Sequence, residues 1–297
     1  MNRAPVPRWL GVLALMAIAT TFGGNHISAR VAFDHGTSVS TAVAVRSAGT
    51  ALFVLALLRV QRVSLALPVA TRWRAAGIGA LIALQSWFIY SSVARIPVAL
   101  ALLAFNTFPM LFVLISSATG AERLTRRALV AMPVALIGLA FALDVLGAGG
   151  DIAGRWAEIG AGVSFALGAA VTFATVLYLN TRWLKDVDGR VRTLFTLGAS
   201  ALAMLAAGAV AGGFALPADA MGWLGLALLT VFYGSAFTAL FMLLPRIGAA
   251  SNTVALNYEP IAVLFLAWLI LGQSVAPLQI FGAFMVVGAI MALGAAK

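Results

Sequence analysis

The sequence predicts an all-α integral membrane protein with ten transmembrane helices. They form two inverted-topology five-helix repeats, with the N and C termini in the cytoplasm. Three observations carry this reading. The 297 residues are 63% hydrophobic and only 9% charged, against roughly 25% charged in a soluble domain. The apolar residues gather in blocks long enough to cross a bilayer, which takes about 20 helical residues. Finally, Arg95 to Pro109, R-I-P-V-A-L-A-L-L-A-F-N-T-F-P, is echoed by Arg246 to Pro260, R-I-G-A-A-S-N-T-V-A-L-N-Y-E-P, with Arg, Ile, two Ala, Asn and Pro in register.

The first repeat, 1–146, contains expected spans at 10–29, 39–58, 76–94, 97–118 and 128–146. The first block follows Arg3 and Arg8 as a signal peptide would, but nine further blocks follow it, so it reads as an uncleaved span. Arg95 and Pro97 separate the third span from the fourth. The Gly-rich 147–157 segment is the periplasmic connection. The second repeat, 158–297, contains spans at 158–180, 193–213, 221–244, 249–271 and 277–296, with Arg246 and Gly248 interrupting it as Arg95 and Pro97 do the first. Five spans per repeat is an odd number, so the second copy enters the membrane from the opposite side. A soluble helical core would need helices with a polar face toward water, and 97–118 and 260–271 have almost none. A β-barrel would need short alternating strands, which are absent from the pattern.

The net charge of +10 is a topology signal and not a sign of nucleic-acid binding. With ten crossings, the cytoplasmic segments collect Arg3, Arg8, Arg59, Arg62, Arg72, Arg74, Arg123, Arg126, Arg127, Arg182, Lys185, Arg190, Arg192, Arg246 and Lys297. Only Arg30, Arg95 and Arg155 fall outside, and Arg46 lies within the second span. That is a clear positive-inside bias. Trp9, Trp73 and Trp183 fall near the inner interface and Trp156, Trp223 and Trp268 near the outer one, where amphipathic rings belong. The chain has no cysteine, so disulfides and thiolate sites are excluded.

The stretch A-L-N-Y-E-P-I-A-V-L-F-L-A-W-L-I-L-G-Q at 255–273, continuing to G-A-F-M-V-V-G-A at 282–289, resembles the ninth-helix pattern of the drug/metabolite transporter superfamily, specifically its ten-helix EamA-type carriers. The first-half counterpart is F-N-T-F-P at 105–109 followed by G-A-E at 120–122; Glu122 keeps an acidic residue that Gln273 replaces in the second half. The resemblance covers nearly the whole chain. It implies two bundles around a central cavity in a bacterial cytoplasmic (inner) membrane, and it permits a homodimer. It also implies export of amino acids, aromatic or other apolar ones among them, or of related small amphiphilic metabolites.

Candidate site residues are the polar groups stranded inside apolar blocks. An arginine at mid-membrane costs about 3 kcal/mol on insertion scales, so Arg46 must face the bundle, where it could attract a substrate carboxylate or serve structurally. Glu259, before Pro260, reads as a protonation site or an ammonium contact, with Asn257 and Tyr258 at the same level. Asn106 and Pro109 are the first-half equivalents, and Pro109 and Pro260 read as hinges, because proline leaves a helix carbonyl without its donor. In the third span Gln85, Trp87, Tyr90 and Ser91 form a polar and aromatic run, and Trp87, Tyr90 and Ser91 share a face. Tyr178 and Phe173 in the sixth span, Tyr233 in the eighth, and Asn25 with His26 in the first are further candidates. His26 has no acidic or histidine partner at helical spacing, and no metal constellation emerges.

These residues predict a modestly polar cavity with few fixed charges, suited to zwitterions or neutral amphiphiles. Phosphorylated solutes would call for convergent Lys and Arg groups. No G-x-x-x-x-G-K-[ST] motif is present, so the chain does not itself draw on ATP. The function expected is therefore a secondary transporter working by alternating access, with a small-molecule substrate, membrane lipid as its surroundings, no cofactor and no nucleic-acid partner. A multidrug or nucleoside carrier is the alternative. A membrane-embedded enzyme or passive channel fits less well, because acid and base groups are too sparse for an active site. The topology is testable directly in a chain without cysteine: Ser64→Cys should react with an impermeant maleimide only from the cytoplasmic side, and Ala218→Cys only from outside. Labelling of both from one face would contradict the inverted arrangement.

Overall fold

The computed structural model describes residues 8–120, 126–143, 152–247, 258–274 and 276–294. These residues form eleven helices: α1 (Arg8–Asp34), α2 (Val39–Val60), α3 (Val69–Val93), α4 (Val98–Phe105), α5 (Phe108–Ala118), α6 (Arg126–Ala142), α7 (Ile152–Trp183), α8 (Gly189–Ala211), α9 (Ala220–Ile247), α10 (Glu259–Leu271) and α11 (Pro277–Gly294). Seven segments are long and apolar enough to cross a membrane, one of them being α4 and α5 taken together as Val98–Ala118. Shorter apolar helices lie at Leu129–Ala142, Glu259–Leu271 and Pro277–Ala292. No strand occurs among the described residues.

The expected single span at 97–118 is thus two helices. Asn106 and Thr107 turn their side chains back onto the backbone, Asn106 Nδ2 donating to the Leu102 carbonyl (2.7 Å) and Thr107 Oγ1 to that of Ala104 (2.8 Å). Pro109, in the first turn of α5, has no N–H to continue the ladder. Local hydrogen bonding competes with the helix and ends it. Pro260 likewise sits in the first turn of α10, with Tyr258 at the cap. Asn257 and Glu122 lie outside the described residues.

Close packing pairs helices distant in sequence. α1 lies along α9, α2 along α8, α3 along α7 and α8, α6 along α11, and α4 against α7 and α10. Apolar transfer does not drive such contacts in lipid, so small residues that let backbones approach become important. A Cβ on Gly79 of α3 would fall 2.4 Å from the Thr196 carbonyl of α8, and one on Gly282 of α11 would fall 2.4 Å from Gly138 O and Ala142 N of α6. Outward faces remain apolar and exposed, with Leu52, Phe53, Leu202, Phe265 and Phe284 among them. Trp73, Trp156, Trp183, Trp223 and Trp268 are all exposed near helix ends; nothing is described of the Trp9 side chain.

The connections tie the two ends separately. At one end His35 Nδ1 meets Asp219 Oδ2 at 2.7 Å, Ser38 Oγ donates to the Gly213 carbonyl (2.7 Å), Arg30 Nη1 donates to the Val93 carbonyl (3.1 Å), and Gln273 Oε1 accepts from Val98 N (3.2 Å). At the other end Arg190 donates to Gln61. There Asp188 caps α8 by accepting from the backbone of Arg190 and Val191. The Arg190 side chain holds its carboxyl at about 2, below the usual range, against a partial burial that pushes the other way. A depressed folded-state value makes this contribution complete above about pH 4 and lost as pH falls toward 2.

The helix contacts predict that Gly282→Ala lowers the thermal unfolding midpoint in detergent, with overpacking costing about 1–3 kcal/mol. Gly198→Ala, where a Cβ meets nothing within 4 Å, should be neutral or raise it, since alanine is favoured over glycine in a helix by about 1 kcal/mol.

Candidate substrate site

Arg46 is 3% exposed and organises the interior. Its Nη2 donates to Ser86 Oγ (2.7 Å) and its Nη1 to Tyr90 Oη (3.1 Å), both on α3. Ser86 and Tyr90 are four residues apart, so they lie on one helical face and grip the guanidinium together. From α9 the Tyr233 ring lies with its centroid 3.9 Å from Arg46 Cζ. These contacts explain how the cation is tolerated. Hydrogen bonds from a charged donor contribute about 1.5–3 kcal/mol each and a desolvated cation–π contact about 2, enough to offset the insertion cost of roughly 3 kcal/mol. None of the partners is a carboxylate, however, and Arg46 Nε has no hydrogen-bond partner. The arginine is held, but its charge is not cancelled.

The network continues through the first helix. The Asn25 amide lies 2.9 Å from Tyr90 Oη. With its nitrogen turned toward Tyr90 it also donates to the Leu229 carbonyl (3.1 Å), and its oxygen accepts from the His26 backbone N–H (3.3 Å). That orientation satisfies the whole amide. His26 stands edge-on to the Tyr90 ring, centroids 5.9 Å apart, and its Nε2 is 3.6 Å from Glu259 Oε1 at the start of α10. Phe22 packs edge-on against Tyr233 (6.2 Å) and Phe237 (5.2 Å), walling one side. A cation, a carboxylate and an imidazole from α2, α10 and α1 therefore share one connected cluster.

Of the expected site residues, Arg46, Tyr90, Tyr233, His26 and Glu259 converge here, and Tyr258 sits half-buried at the α10 cap beside Glu259. The others go elsewhere. Trp87 packs with Phe88 and Phe165 and not with Tyr90, although the two share a helical face. Ser91 is buried, and its carbonyl accepts from Arg95 Nη1 (2.7 Å). Gln85 Oε1 is 3.4 Å from Ser86 Oγ, at the edge of the cluster. Tyr178 Oη accepts from Arg182 near the end of α7 (3.0 Å), Phe173 packs with Phe105 and Phe108, and Asn106 serves the α4–α5 break. Ser86 was missed. A serine among apolar residues carries no signal until Arg46 is seen to need a partner one turn from Tyr90. The grooves on the outer faces, such as the one lined by Phe265, Trp268, Ile280 and Phe284, are apolar and contain none of these groups.

Many apolar helices around a charged, aromatic-walled interior define a multi-pass membrane protein with a polar site inside its bundle. Residues 160–295 match the EamA-like transporter family, so this part of the chain is similar to an EamA-like domain. A solved crystal structure, 18% identical, covers 98% of this chain with 98% of its own at a TM-score of 0.67, a likeness that establishes the fold. No curated protein matches the chain.

The hydroxyl shared by Arg46 and Asn25 gives a direct test. Tyr90→Phe strands a buried guanidinium N–H and should lower stability by about 1–3 kcal/mol, read as a fall in the thermal midpoint. An unchanged midpoint would mean that the contact does not hold Arg46.

Proposed function

We propose that this protein is a secondary transporter that exports amino acids, apolar or aromatic ones included, or related small amphiphilic metabolites across a bacterial inner membrane by alternating access. The observation that carries this reading is the buried Arg46, braced by Ser86, Tyr90 and Tyr233 but facing no carboxylate among the described residues. A substrate carboxylate supplies the missing counter-charge, in a low-dielectric setting where charge-assisted hydrogen bonds are strong. Glu259 receives the substrate ammonium. The Tyr90, Tyr233 and Phe22 rings offer apolar contact to its side chain.

Support for alternating access comes from the packing. Exchanging corresponding helices of the two expected repeats turns the α1–α9 pair into α7–α3 and leaves the α2–α8 and α6–α11 pairs unchanged; all of these contacts occur. Inverted repeats related in this way can trade conformations around a central site. The family match opens at residue 160, close to the expected start of the second repeat at 158. Pro109 and Pro260, each in the first turn of a helix, are the proposed hinges, since neither can donate the hydrogen bond that would tie its helix to the segment before it.

The test is counterflow in proteoliposomes holding the purified full-length chain, with radiolabelled leucine and phenylalanine against a panel of unlabelled solutes. Saturable exchange inhibited by amino acids, and reduced at least about tenfold in apparent affinity by Arg46→Lys, is the expected result. Inhibition by nucleosides or cationic dyes, with amino acids inert, would favour the other carriers of the superfamily. Non-saturable flux would indicate a channel.

A further inference from the structure

Thr50 departs from the habit of the threonines around it. A threonine inside a helix can satisfy its hydroxyl by donating to the carbonyl one turn back. Thr20, Thr172, Thr193, Thr196, Thr230 and Thr238 all do so, each to the residue four positions earlier. Thr50 lies in the middle of α2 and is 1% exposed, yet its Oγ1 has no hydrogen-bond partner among the described residues. A buried hydroxyl in that state destabilises the fold. In a native protein such a group calls for an explanation.

Its surroundings supply one. Arg46 precedes Thr50 by four residues, so the two share a face of α2, and Arg46 Nε is the second unpartnered donor on that face. Both look onto consecutive residues of α9. The Tyr233 ring covers the guanidinium, its centroid 3.9 Å from Cζ, and Gly234 stands opposite Thr50. A Cβ built on Gly234 would lie 3.5 Å from Thr50 Oγ1 and 3.8 Å from its Cγ2, with no other described neighbour within 4 Å. That is ordinary van der Waals contact. At Gly49, by contrast, a Cβ would fall 2.6 Å from Thr230 Cγ2, and at Gly225 it would fall 2.8 Å from Ala32 N. Close packing therefore demands glycine at 49 and 225 but not at 234. There the lack of a side chain keeps room in front of the Thr50 hydroxyl.

We propose that the substrate carboxylate is received on this seam between α2 and α9, one oxygen accepting from Arg46 Nε–H and the other from Thr50 Oγ1–H, with the room kept by Gly234 as its seat. The inference rests on the transport reading above and deepens it, since it names the residue that makes the site selective for acids. The terminal nitrogens of Arg46 are engaged by Ser86 and Tyr90, which hold the guanidinium while its Nε edge stays open. A carboxylate accepts on both oxygens, so two donors one turn apart on a single helix face match it. A hydroxyl suits the second place, because it adds a directional bond to the anion without burying another cation. On the topology expected from the sequence, Thr50 lies on the cytoplasmic side of Arg46, where an exported acid meets it first.

The experiment is calorimetric titration of the purified full-length chain and its variants with leucine and phenylalanine and with their primary amides. The thermal unfolding midpoint of each variant is recorded alongside. Thr50→Val keeps the shape and removes the hydroxyl. It should weaken binding of both acids at least about tenfold and hold or raise the midpoint. The amides should stay within about threefold, because hydrogen bonds between neutral groups are about half as strong. Thr50→Ser restores the O–H and should return the acids to near their wild-type affinity. Gly234→Ala, whose Cβ fits without a clash, should keep the midpoint and still weaken the acids. Acid affinities unchanged in Thr50→Val, or acid and amide lowered in parallel, would overturn the role of Thr50 and leave the carrier reading on Arg46 intact. Acids bound at full strength by Gly234→Ala would overturn the seat. A wild type that binds neither leucine nor phenylalanine would overturn the amino-acid reading and this inference with it.

Discussion

One constraint shapes the interior: a guanidinium must be stabilised where water and lipid cannot do it. Arg46 sits in the middle of α2, and the helices around it supply hydroxyls and an aromatic face in place of a carboxylate. That choice separates two roles an acid would have merged. Hydroxyls and rings keep the cation in place without extinguishing its field. An ion pair with Asp or Glu would have held it too, and would have left nothing for a solute to neutralise. A buried charge without its counter-charge is unfavourable by several kcal/mol, so on the proposed reading an anion binds here by completing the site.

The rest of the fold can be understood as what brings Ser86, Tyr90, Tyr233, Asn25, His26 and Glu259 to that point. Small residues let α3 and α8, and α6 and α11, approach until backbone atoms touch. Close crossings fix rotations about helix axes, and those rotations decide which side chains face inward. Ser86 and Tyr90 point at Arg46 from an α3 that also packs along α7 and α8. Glu259 reaches His26 because α10 begins at this level, its first turn capped at Tyr258 and started by Pro260.

Much of this was legible in the sequence, and the part that was not has a physical reason. Apolar blocks and basic loops gave the helices, because span length and interfacial charge are local properties. Arg46 and Glu259 stood out because charge within an apolar run is expensive wherever it occurs. The division of 97–118 was only half legible: Pro109 marked it, but the side-chain bonds of Asn106 and Thr107 that end α4 depend on local geometry. Trp87 and Tyr90 share a face by spacing yet turn to different neighbours, Phe165 and Arg46, since a helical face is wide enough to touch two partners. Ser86 and the His26–Glu259 contact could not be read at all. Both are consequences of how helices rotate against one another, and no single segment encodes that.

The central claim is that Arg46 receives the carboxylate of the transported solute. Calorimetric titration of the purified protein with the amino acid found by counterflow, and with its primary amide, tests this most directly, because the pair differs only in the group Arg46 would bind. The account predicts that the amide binds at least about tenfold more weakly and that the difference disappears in Arg46→Gln. Equal affinity of the wild type for acid and amide would contradict it.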